Sequence, residues 1–171
     1  MKRILLIAFV VGLANLQACK KDDDPTCTKE VVAAKLTAVD QTRLASDIVA
    51  IDAYLASKGI TTALSEPNGV RYTITTSGTG TQVQCLENVV TVKTTGSLLK
   101  FGTMFQPEAE FSYKLNQLIV GWQLVIPLVP SGSKITAYIP SGYGYGVNGG
   151  ANGKVPSNAI LIFDIELIAV N

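Results

Sequence analysis

The segment 159–170, AILIFDIELIAV, constrains the fold more than any other part of the chain. Within it, Leu161, Phe163, Ile165 and Leu167 share one continuous apolar face. Such alternation predicts a β-strand with one buried face, because successive side chains of a strand point to opposite sides of the sheet. The chain must therefore supply further strands and an apolar layer for this strand to pack against.

Four shorter segments after residue 67 show strand patterns too, and glycine-containing turns separate them. Their alternating apolar residues are Val70, Tyr72 and Ile74; Val90 and Val92; Phe111, Tyr113 and Leu115; and Ile135, Ala137 and Ile139. One apolar segment, 118–129, interrupts the series, and Pro127 and Pro130 limit it to a turn or two of helix. The pattern predicts an α+β domain over residues 67–171, with an antiparallel sheet of about five strands curled over one short helix.

A helical pattern precedes this domain, in residues 40–66. Its apolar residues recur at spacings of four, three and four residues: Leu44, Ile48, Ile51 and Leu55. Asp40 can cap the start of this helix, and Gly59 can end it. A single stripe of this kind predicts a packing face, directed at a neighbouring domain or at a protein partner.

The first 18 residues have the pattern of a secretory signal peptide. Lys2 and Arg3 precede a short apolar run, Ile4–Leu13. The following LQAC resembles a bacterial lipobox, so we expect cleavage before Cys19 and a lipid on its thiol. The apolar run is too short to span a bilayer as a permanent anchor. The alternative is a plain signal peptide that is cut elsewhere.

Residues 19–39 are polar and poorly patterned at their start, which predicts a lipid-anchored tether. The KKDDD run at 20–24 is either a solvated spacer or an export signal, since it resembles the lysine-then-acid signal on surface lipoproteins of Bacteroidetes-like bacteria. We therefore expect an exported outer-membrane lipoprotein, bound to the membrane through the lipid on Cys19. It would face either the periplasm or the cell surface.

Two further cysteines, Cys27 and Cys85, follow the lipobox. An exported protein lies in an oxidising compartment, where disulfides persist. We therefore expect a Cys27–Cys85 disulfide, although the spacing alone does not show that the two residues meet. Two unpaired or buried thiols are the alternative.

The composition excludes several classes of function. The chain has no histidine, which removes Ser-His-Asp and Cys-His catalysis and the commonest metal ligand. The formal net charge of +1 does not suit nucleic-acid binding. Asp164 and Glu166 lie two residues apart on one strand, which is more typical of a solvated face than of an acid/base pair. We expect no metal, no cofactor and no nucleic-acid partner.

The loop at 142–158 contains Gly144-x-Gly146-x-x-Gly149, which matches a dinucleotide-binding fingerprint. That fingerprint requires a helix after its last glycine, because the helix N-terminus holds the pyrophosphate. Glycine, asparagine and proline residues follow instead, and they are poor helix formers. The loop therefore needs another explanation.

The order of motifs from about Val70 to Ala169 resembles the FK506-binding-protein (FKBP) type of peptidyl-prolyl cis-trans isomerase. The matching pieces are, in order, VTVKTTGSL, Phe105, FSYKL, LIVGW, PSGYGYG and GKVPSNAILIFDIEL. Several pieces in one order are far more specific than any single motif. The resemblance implies an FKBP-like fold for the C-terminal domain and isomerase activity on proline-containing polypeptides.

The resemblance also implies a proline-binding pocket. Its aromatic walls and floor would be Phe105, Phe111, Trp122 and Phe163, and its apolar rim would be Leu118, Ile119 and Val155. The hydroxyl of Tyr145 would donate a hydrogen bond to a substrate carbonyl, and a backbone N–H near Ile119 would be a second donor. Each aromatic residue taken alone is more typical of an ordinary core, and only the family order favours a pocket.

Two residues depart from the family pattern. Gln106 stands where the family usually has an aspartate that points into the pocket, and Thr94 stands where it usually has a tyrosine. Glutamine keeps the hydrogen-bonding capacity of that substrate-binding position but loses the charge. The fold and proline binding survive such changes more readily than the full catalytic rate does.

Three functions follow from these expectations. The first is a lipid-anchored prolyl isomerase that assists the folding of exported or envelope proteins. The second is a catalytically weak or inactive FKBP-like module that binds peptides or a partner lipoprotein. The third is a structural subunit of an outer-membrane complex, docked through the Leu44–Leu55 helix face.

Overall fold

The computed structural model describes residues 27–28, 30–31 and 33–171. Two helices come first, α1 (Ala33–Thr37) and α2 (Gln41–Ser57). Six strands and a third helix follow: β1 (Leu64–Ser65), β2 (Arg71–Thr76), β3 (Val89–Leu98), β4 (Met104–Lys114), α3 (Val120–Val125), β5 (Lys134–Ile139) and β6 (Leu161–Val170). In this part of the chain, no helix has both the length and the apolar character needed to cross a membrane.

The strands form one antiparallel sheet in the order β1-β2-β5-β6-β3-β4. β6 lies inside the sheet, where Phe163 pairs with Ala137 of β5 on one side and with Gly96 of β3 on the other. The alternating residues of β6 that form the sequence pattern are all buried. The predicted α+β class and antiparallel sheet are therefore confirmed. The additional strand, β1, has two residues and is too short for alternation to reveal it.

One face of the sheet and helix α3 enclose the main core. Val92 of β3 and Ile135 of β5 are buried there together with Trp122 of α3. Helix α3 has six residues and passes directly into a 3₁₀ turn at Ile126–Leu128. Pro127 lies in that turn and has no N–H with which to continue an α-helix, so the helix is as short as the sequence predicts.

Helix α2 begins and ends where the sequence predicts. The carboxylate of Asp40 accepts a hydrogen bond from the N–H of Arg43 at 3.0 Å, which satisfies one of the first amides of the helix. Gly59 follows the helix with a φ of +66°, and its N–H donates to the carbonyl of Ala56 at 3.1 Å. Glycine adopts this left-handed conformation at a helix end without strain.

The apolar stripe of α2 packs on the second face of the sheet. Ile51 and Leu55 are buried against Tyr138 of β5 and Ile162 of β6, which point away from the main core. These two strand residues are largely apolar and would face water without the helix, so burying them favours docking. The stripe is a packing face, and the chain's own sheet covers its Ile51 and Leu55, whereas Leu44 and Ile48 are half-buried. A protein partner at the Leu44–Leu55 face stays a prediction.

Residues 1–26 lie outside the described residues, and with them the predicted signal peptide, Cys19 and the KKDDD run. Packed structure begins earlier than residue 40, inside the segment that the sequence predicts as a tether. Val31 is buried in the main core, and α1 is a five-residue helix. Leu36 and Val39 pack against the same core, so the apolar residues of this segment give it a fixed position.

The Cys85 thiol is free and buried, so the expected Cys27–Cys85 disulfide is not formed in this structure. The two chain segments that carry these cysteines are nevertheless adjacent. The N–H of Leu86 donates to the carbonyl of Thr28 at 2.8 Å, which joins the residues next to the two cysteines. A disulfide in the oxidised protein stays a prediction.

Candidate active site

Three predicted pocket residues pack edge to face at the centre of the main core. Trp122 of α3 and Phe163 of β6 have ring centroids 5.2 Å apart and an interplanar angle of 89°. Phe163 meets Phe105 of β4 at 5.5 Å and 90°. Aromatic rings favour this T-shaped arrangement because the positive edge of one ring faces the negative face of the other. We call these three buried residues the floor.

The aromatic cluster reaches the surface at both ends. Phe111 stacks on Trp122 with a centroid distance of 5.8 Å and an interplanar angle of 14°. At the other end, Tyr145 meets the edge of Phe105 at 6.4 Å and 90°. Phe111 and Tyr145 are half-buried, whereas the floor between them is almost fully buried. All five predicted aromatic residues therefore form one continuous series of ring contacts.

The predicted rim residues pack against the same core. Val155 is buried, and Leu118 and Ile119 are half-buried. Ile119 is the N-cap residue of α3, so its N–H lies outside the hydrogen-bond ladder of that helix. The resemblance implies that this N–H is the second donor to the substrate, and that role stays a prediction.

Gln123 holds the Leu118 side of the rim, and the sequence did not reveal this role. Its side-chain amide donates to the carbonyl of Leu118 at 2.6 Å and to that of Asn116 at 3.2 Å. Its carbonyl oxygen accepts from the ammonium group of Lys35 in α1 at 3.2 Å. Gln123 is buried in an otherwise apolar segment, and that isolated polar position was the only signal available.

Two glycines that the sequence did not single out allow the aromatic rings to approach. A Cβ on Gly96 would lie 2.6 Å from the ring of Phe105 and 2.9 Å from that of Phe163. A Cβ on Gly150 would overlap the ring of Tyr145. Both contacts are closer than carbon atoms can approach without displacement, so side chains at these positions would move the pocket residues.

The two departures from the family pattern lie beside the floor. Gln106 follows Phe105 on β4, pairs with Gly96 of β3 and is half-buried. Thr94 is buried in β3, and its hydroxyl donates to the carbonyl of Thr95 at 3.3 Å. A neutral amide and a small hydroxyl thus occupy the positions where the resemblance implies a carboxylate and a phenol.

The polar groups of the cluster are suited to donating hydrogen bonds. Burial raises the pKa of the Tyr145 hydroxyl above its ordinary value, so this hydroxyl stays protonated at neutral pH. The indole N–H of Trp122 is buried and has no hydrogen-bond partner in the described part of the chain. An unsatisfied buried donor costs about 1–3 kcal/mol, and such groups call for a functional explanation.

The loop that carries Tyr145 runs from residue 141 to 158, and we call it the Tyr145 loop. It contains three 3₁₀ turns, Ser141–Tyr143, Gly146–Asn148 and Ala151–Gly153, and no α-helix. The dinucleotide interpretation of its glycines is therefore excluded, because no helix N-terminus follows the motif. Reciprocal backbone hydrogen bonds between Gly150 and Val155, at 3.0 and 3.1 Å, bring Val155 to the rim.

A family model described as "FKBP-type peptidyl-prolyl cis-trans isomerase" matches residues 81–168, about half of the chain. This range contains every residue of the aromatic cluster and the whole rim. The chain belongs to the FKBP-type peptidyl-prolyl cis-trans isomerase family. The FKBP-like fold that the motif order implies is therefore confirmed.

Individual FKBP-type proteins agree with this assignment. The isomerase FkpA of Aeromonas hydrophila is 36% identical over 110 residues, which cover 62% of this chain and 40% of that protein. A probable FKBP-type isomerase of Haemophilus influenzae is 31% identical over 166 residues, 89% of this chain and 66% of that protein. The crystal structure of a peptidyl-prolyl isomerase from Pseudomonas syringae matches with a TM-score of 0.60 and 28% identity, covering 84% of this chain and 98% of that one. The chain thus spans less than half the length of the FkpA relative.

Proposed function

We propose that this chain is a peptidyl-prolyl cis-trans isomerase that acts on exported or envelope proteins. The observation that carries the proposal is the continuous series of ring contacts from Phe111 to Tyr145, with a protonated hydroxyl at one end. Its half-buried ends, Phe111 and Tyr145, offer apolar contact to a proline ring and to the amide bond that precedes it. Membership of the FKBP-type family supports the same activity.

The reaction needs neither an acid, a base nor a metal. Rotation about an X-Pro bond breaks no covalent bond and passes a barrier of about 18–20 kcal/mol. The twisted amide loses resonance and charge separation, so apolar surroundings stabilise it relative to the planar, more polar ground state. The floor rings supply these surroundings. The hydroxyl of Tyr145 donates to the substrate carbonyl in the twisted geometry, which favours the transition state over the ground state.

A protease-coupled or NMR-exchange assay on a proline tetrapeptide tests this activity. Binding is measured in parallel from the fluorescence of Trp122, the single tryptophan of the chain. We expect both binding and turnover. Binding without turnover would favour the second function, an FKBP-like module that recognises peptides. The neutral side chain at Gln106 and the missing phenol at Thr94 are the observations that favour this alternative.

The variant Gln106→Asp separates the two functions further. It restores the carboxylate that the family pattern carries next to Phe105, so turnover rises if the missing charge limits the rate. Gln84→Asp adds the same charge at an exposed position away from the floor and serves as the control. No turnover in the wild type and none in Gln106→Asp would leave peptide binding as the function.

We also propose that the protein is an outer-membrane lipoprotein that carries a lipid on Cys19. The support is the short apolar run that ends in LQAC. Mass spectrometry of the native protein should find an acylated Cys19 at the N-terminus, and Cys19→Ser should release the protein from membrane fractions. An unmodified N-terminus at another residue would contradict the lipid anchor.

In that oxidising location we propose that Cys27 and Cys85 form a disulfide. The backbone hydrogen bond between Leu86 and Thr28 supports this bridge because it brings the two segments together. Closing a loop of this length is worth about 4 kcal/mol in the chain-entropy model, before strain is counted. Alkylation of the denatured, unreduced protein after export should label neither cysteine. Labelling of both would refute the bridge.

A further inference from the structure

Helix α2 carries a carboxylate that is buried among apolar residues. Asp47 is 1% exposed, and it lies on the same side of the helix as Leu44 and Ile51. Its Oδ2 accepts two hydrogen bonds from Ser141, one from the backbone N–H at 2.8 Å and one from the hydroxyl at 2.5 Å. Hydrogen bonds to a charged acceptor are stronger and more strictly oriented than neutral ones. Asp47 therefore fixes both the main chain and the side chain of Ser141.

Ser141 is the first residue of the Tyr145 loop. It is fully buried and begins the 3₁₀ turn Ser141–Tyr143. Its carbonyl accepts a hydrogen bond from the N–H of Gly144 at 3.1 Å, so the turn ends next to Tyr145. Fixing Ser141 therefore also fixes Gly144, the residue before the proposed donor Tyr145.

Arg43, one helical turn before Asp47, contacts the other end of the same loop. Its Nη2 donates to the carbonyl of Asn158 at 2.8 Å. The N–H of Asn158 in turn donates to the carbonyl of Gly146 at 2.8 Å, directly after Tyr145. The Nε of Arg43 lies 2.9 Å from Oδ1 of Asp47 but is not aligned for a hydrogen bond, so the two side chains form an ion pair.

We propose that Arg43 and Asp47 are positioning residues for the isomerase site and that the N-terminal helix α2 is thus part of its machinery. They hold both ends of the Tyr145 loop from one turn of one helix and thereby fix the hydroxyl of Tyr145 relative to the floor. This inference rests on the proposed isomerase function for its effect on rate. Its structural part, a loop held by α2, is testable without turnover.

The first experiment compares Asp47→Asn with Ile51→Ala in the full chain. Asp47→Asn removes the charge that binds Ser141 and Arg43, so kcat/KM on the proline tetrapeptide should fall by about three- to tenfold. Ile51, one turn later, is fully buried in the apolar cluster with Tyr138 and Ile162, and that cluster contains no residue of the Tyr145 loop. Ile51→Ala should lower stability but leave kcat/KM unchanged well below the unfolding transition. Equal losses of kcat/KM in both variants would mean that α2 acts only through general stability and would overturn the proposal.

A double-mutant cycle with Tyr145→Phe tests the route of the effect. If Asp47 acts by placing the hydroxyl of Tyr145, Asp47→Asn should have little further effect on kcat/KM once that hydroxyl is gone. Losses that simply multiply would show that the two residues act independently, which would overturn the proposal. If Asp47→Asn does not fold, Ser141→Ala takes its place in the cycle. It deletes only the hydroxyl hydrogen bond and should lower kcat/KM by about two- to threefold.

Amide resonances of Gly144 and Gly146 in ¹⁵N NMR spectra provide the readout that does not depend on turnover. They should shift in Asp47→Asn and stay in place in Ile51→Ala. If the wild type shows no isomerase activity, the proposed function fails while these resonances still decide whether α2 holds the loop. Unchanged resonances in Asp47→Asn would overturn the inference even in an active enzyme.

Discussion

The floor of the proposed pocket and the Tyr145 loop beside it are not held in the same way. Trp122, Phe163 and Phe105 come from a helix and two strands and are buried in the main core. The Tyr145 loop consists of 3₁₀ turns whose ends bind Asp47 and Arg43 of α2. The floor therefore depends on apolar burial, which is not directional. The ends of the loop depend also on hydrogen bonds, which lose their strength when distance or angle changes.

We therefore expect substitutions in the floor and in the Tyr145 loop to have different effects. The floor belongs to the core, so changes there alter both the stability of the fold and the affinity for proline peptides. The loop contributes Tyr143 and Val155 to the core, but Tyr145 itself is half-buried. Changes at Tyr145 and at the hydrogen bonds that hold the loop ends should therefore alter turnover more than stability. The following predictions test this separation of affinity from rate.

The largest effect is expected at the floor. Trp122→Ala should lower the free energy of unfolding by about 3–5 kcal/mol and abolish binding of a proline peptide, because it removes a large buried ring. Urea unfolding and calorimetric titration measure the two quantities. Trp122→Phe keeps an aromatic ring and is the control. It should lower the free energy of unfolding and the peptide affinity by less. If Trp122→Ala keeps the peptide affinity of the wild type, Trp122 does not contribute to peptide binding.

A smaller effect is expected from Gly150→Ala, on the loop. The new methyl group overlaps the ring of Tyr145 and must displace it. Misplacing a catalytic group costs about ten- to a hundredfold in kcat/KM, whereas the fluorescence of Trp122 should not change. In a Tyr145→Ala background the ring is absent, so the same substitution should be harmless. If Gly150→Ala lowers kcat/KM equally in the Tyr145→Ala background, Gly150 acts on a group other than Tyr145.

Tyr145→Phe should have a still smaller effect, since it deletes one hydroxyl and keeps the ring. Turnover should fall by about three- to tenfold, the equivalent of one modest neutral hydrogen bond. The unfolding midpoint should stay within error because the loop is not part of the buried floor. A large loss of stability would contradict the separation of the two regions. Unchanged turnover would remove the hydroxyl from the mechanism.

The smallest effect is expected from pH. Burial is the main cause that raises the pKa of the hydroxyl groups of Tyr72, Tyr138, Tyr143 and Tyr145. These groups favour their protonated form in the folded state, whereas in the unfolded chain they ionise near about pH 10. Their contribution to stability is therefore complete below about pH 10 and is lost as the pH rises further.

Turnover should follow the same profile. The chain has no histidine, so we expect a constant rate between about pH 6 and 9 and a decline only where tyrosines ionise. Rates and unfolding midpoints are measured in the same buffers, which separates loss of the Tyr145 proton from unfolding. A rate that changes with an apparent pKa near about 6–7 would show that a group other than these tyrosines controls turnover.

The floor could be predicted from the sequence, but the supports of the loop could not. Phe163 lies in the alternating pattern of β6, and the family motifs include Trp122 and Phe105. Asp47 and Arg43, by contrast, contact residues 94 and 115 positions away along the chain. No local pattern encodes such a pairing, because either partner alone is an ordinary polar residue. The only hint was a charged residue on the apolar side of a helix.

The same reasoning explains the stripe of α2. Its spacing predicted a packing face, and two of its four residues, Ile51 and Leu55, are buried. The surface that covers it consists of Tyr138 and Ile162, which lie on the opposite side of β5 and β6 from the main core. An apolar residue on the outer face of a strand does not reveal whether a helix of the same chain or another protein will cover it. The sequence therefore predicted that α2 has a packing face, but not which surface packs against it.

Both edges of the sheet are poorly suited to pairing with another polypeptide. β1, at one edge, has only two residues. β4, at the other, carries Pro107 where the register with β3 shifts, followed by Glu108, which forms an ion pair with Lys93 at 2.9 Å. Proline, charge and an irregular register each hinder the addition of a further strand. If the protein acts on unfolded chains as we propose, its sheet edges give a client no strand to pair with, and binding would rest on side-chain contacts that release an isomerised client more readily.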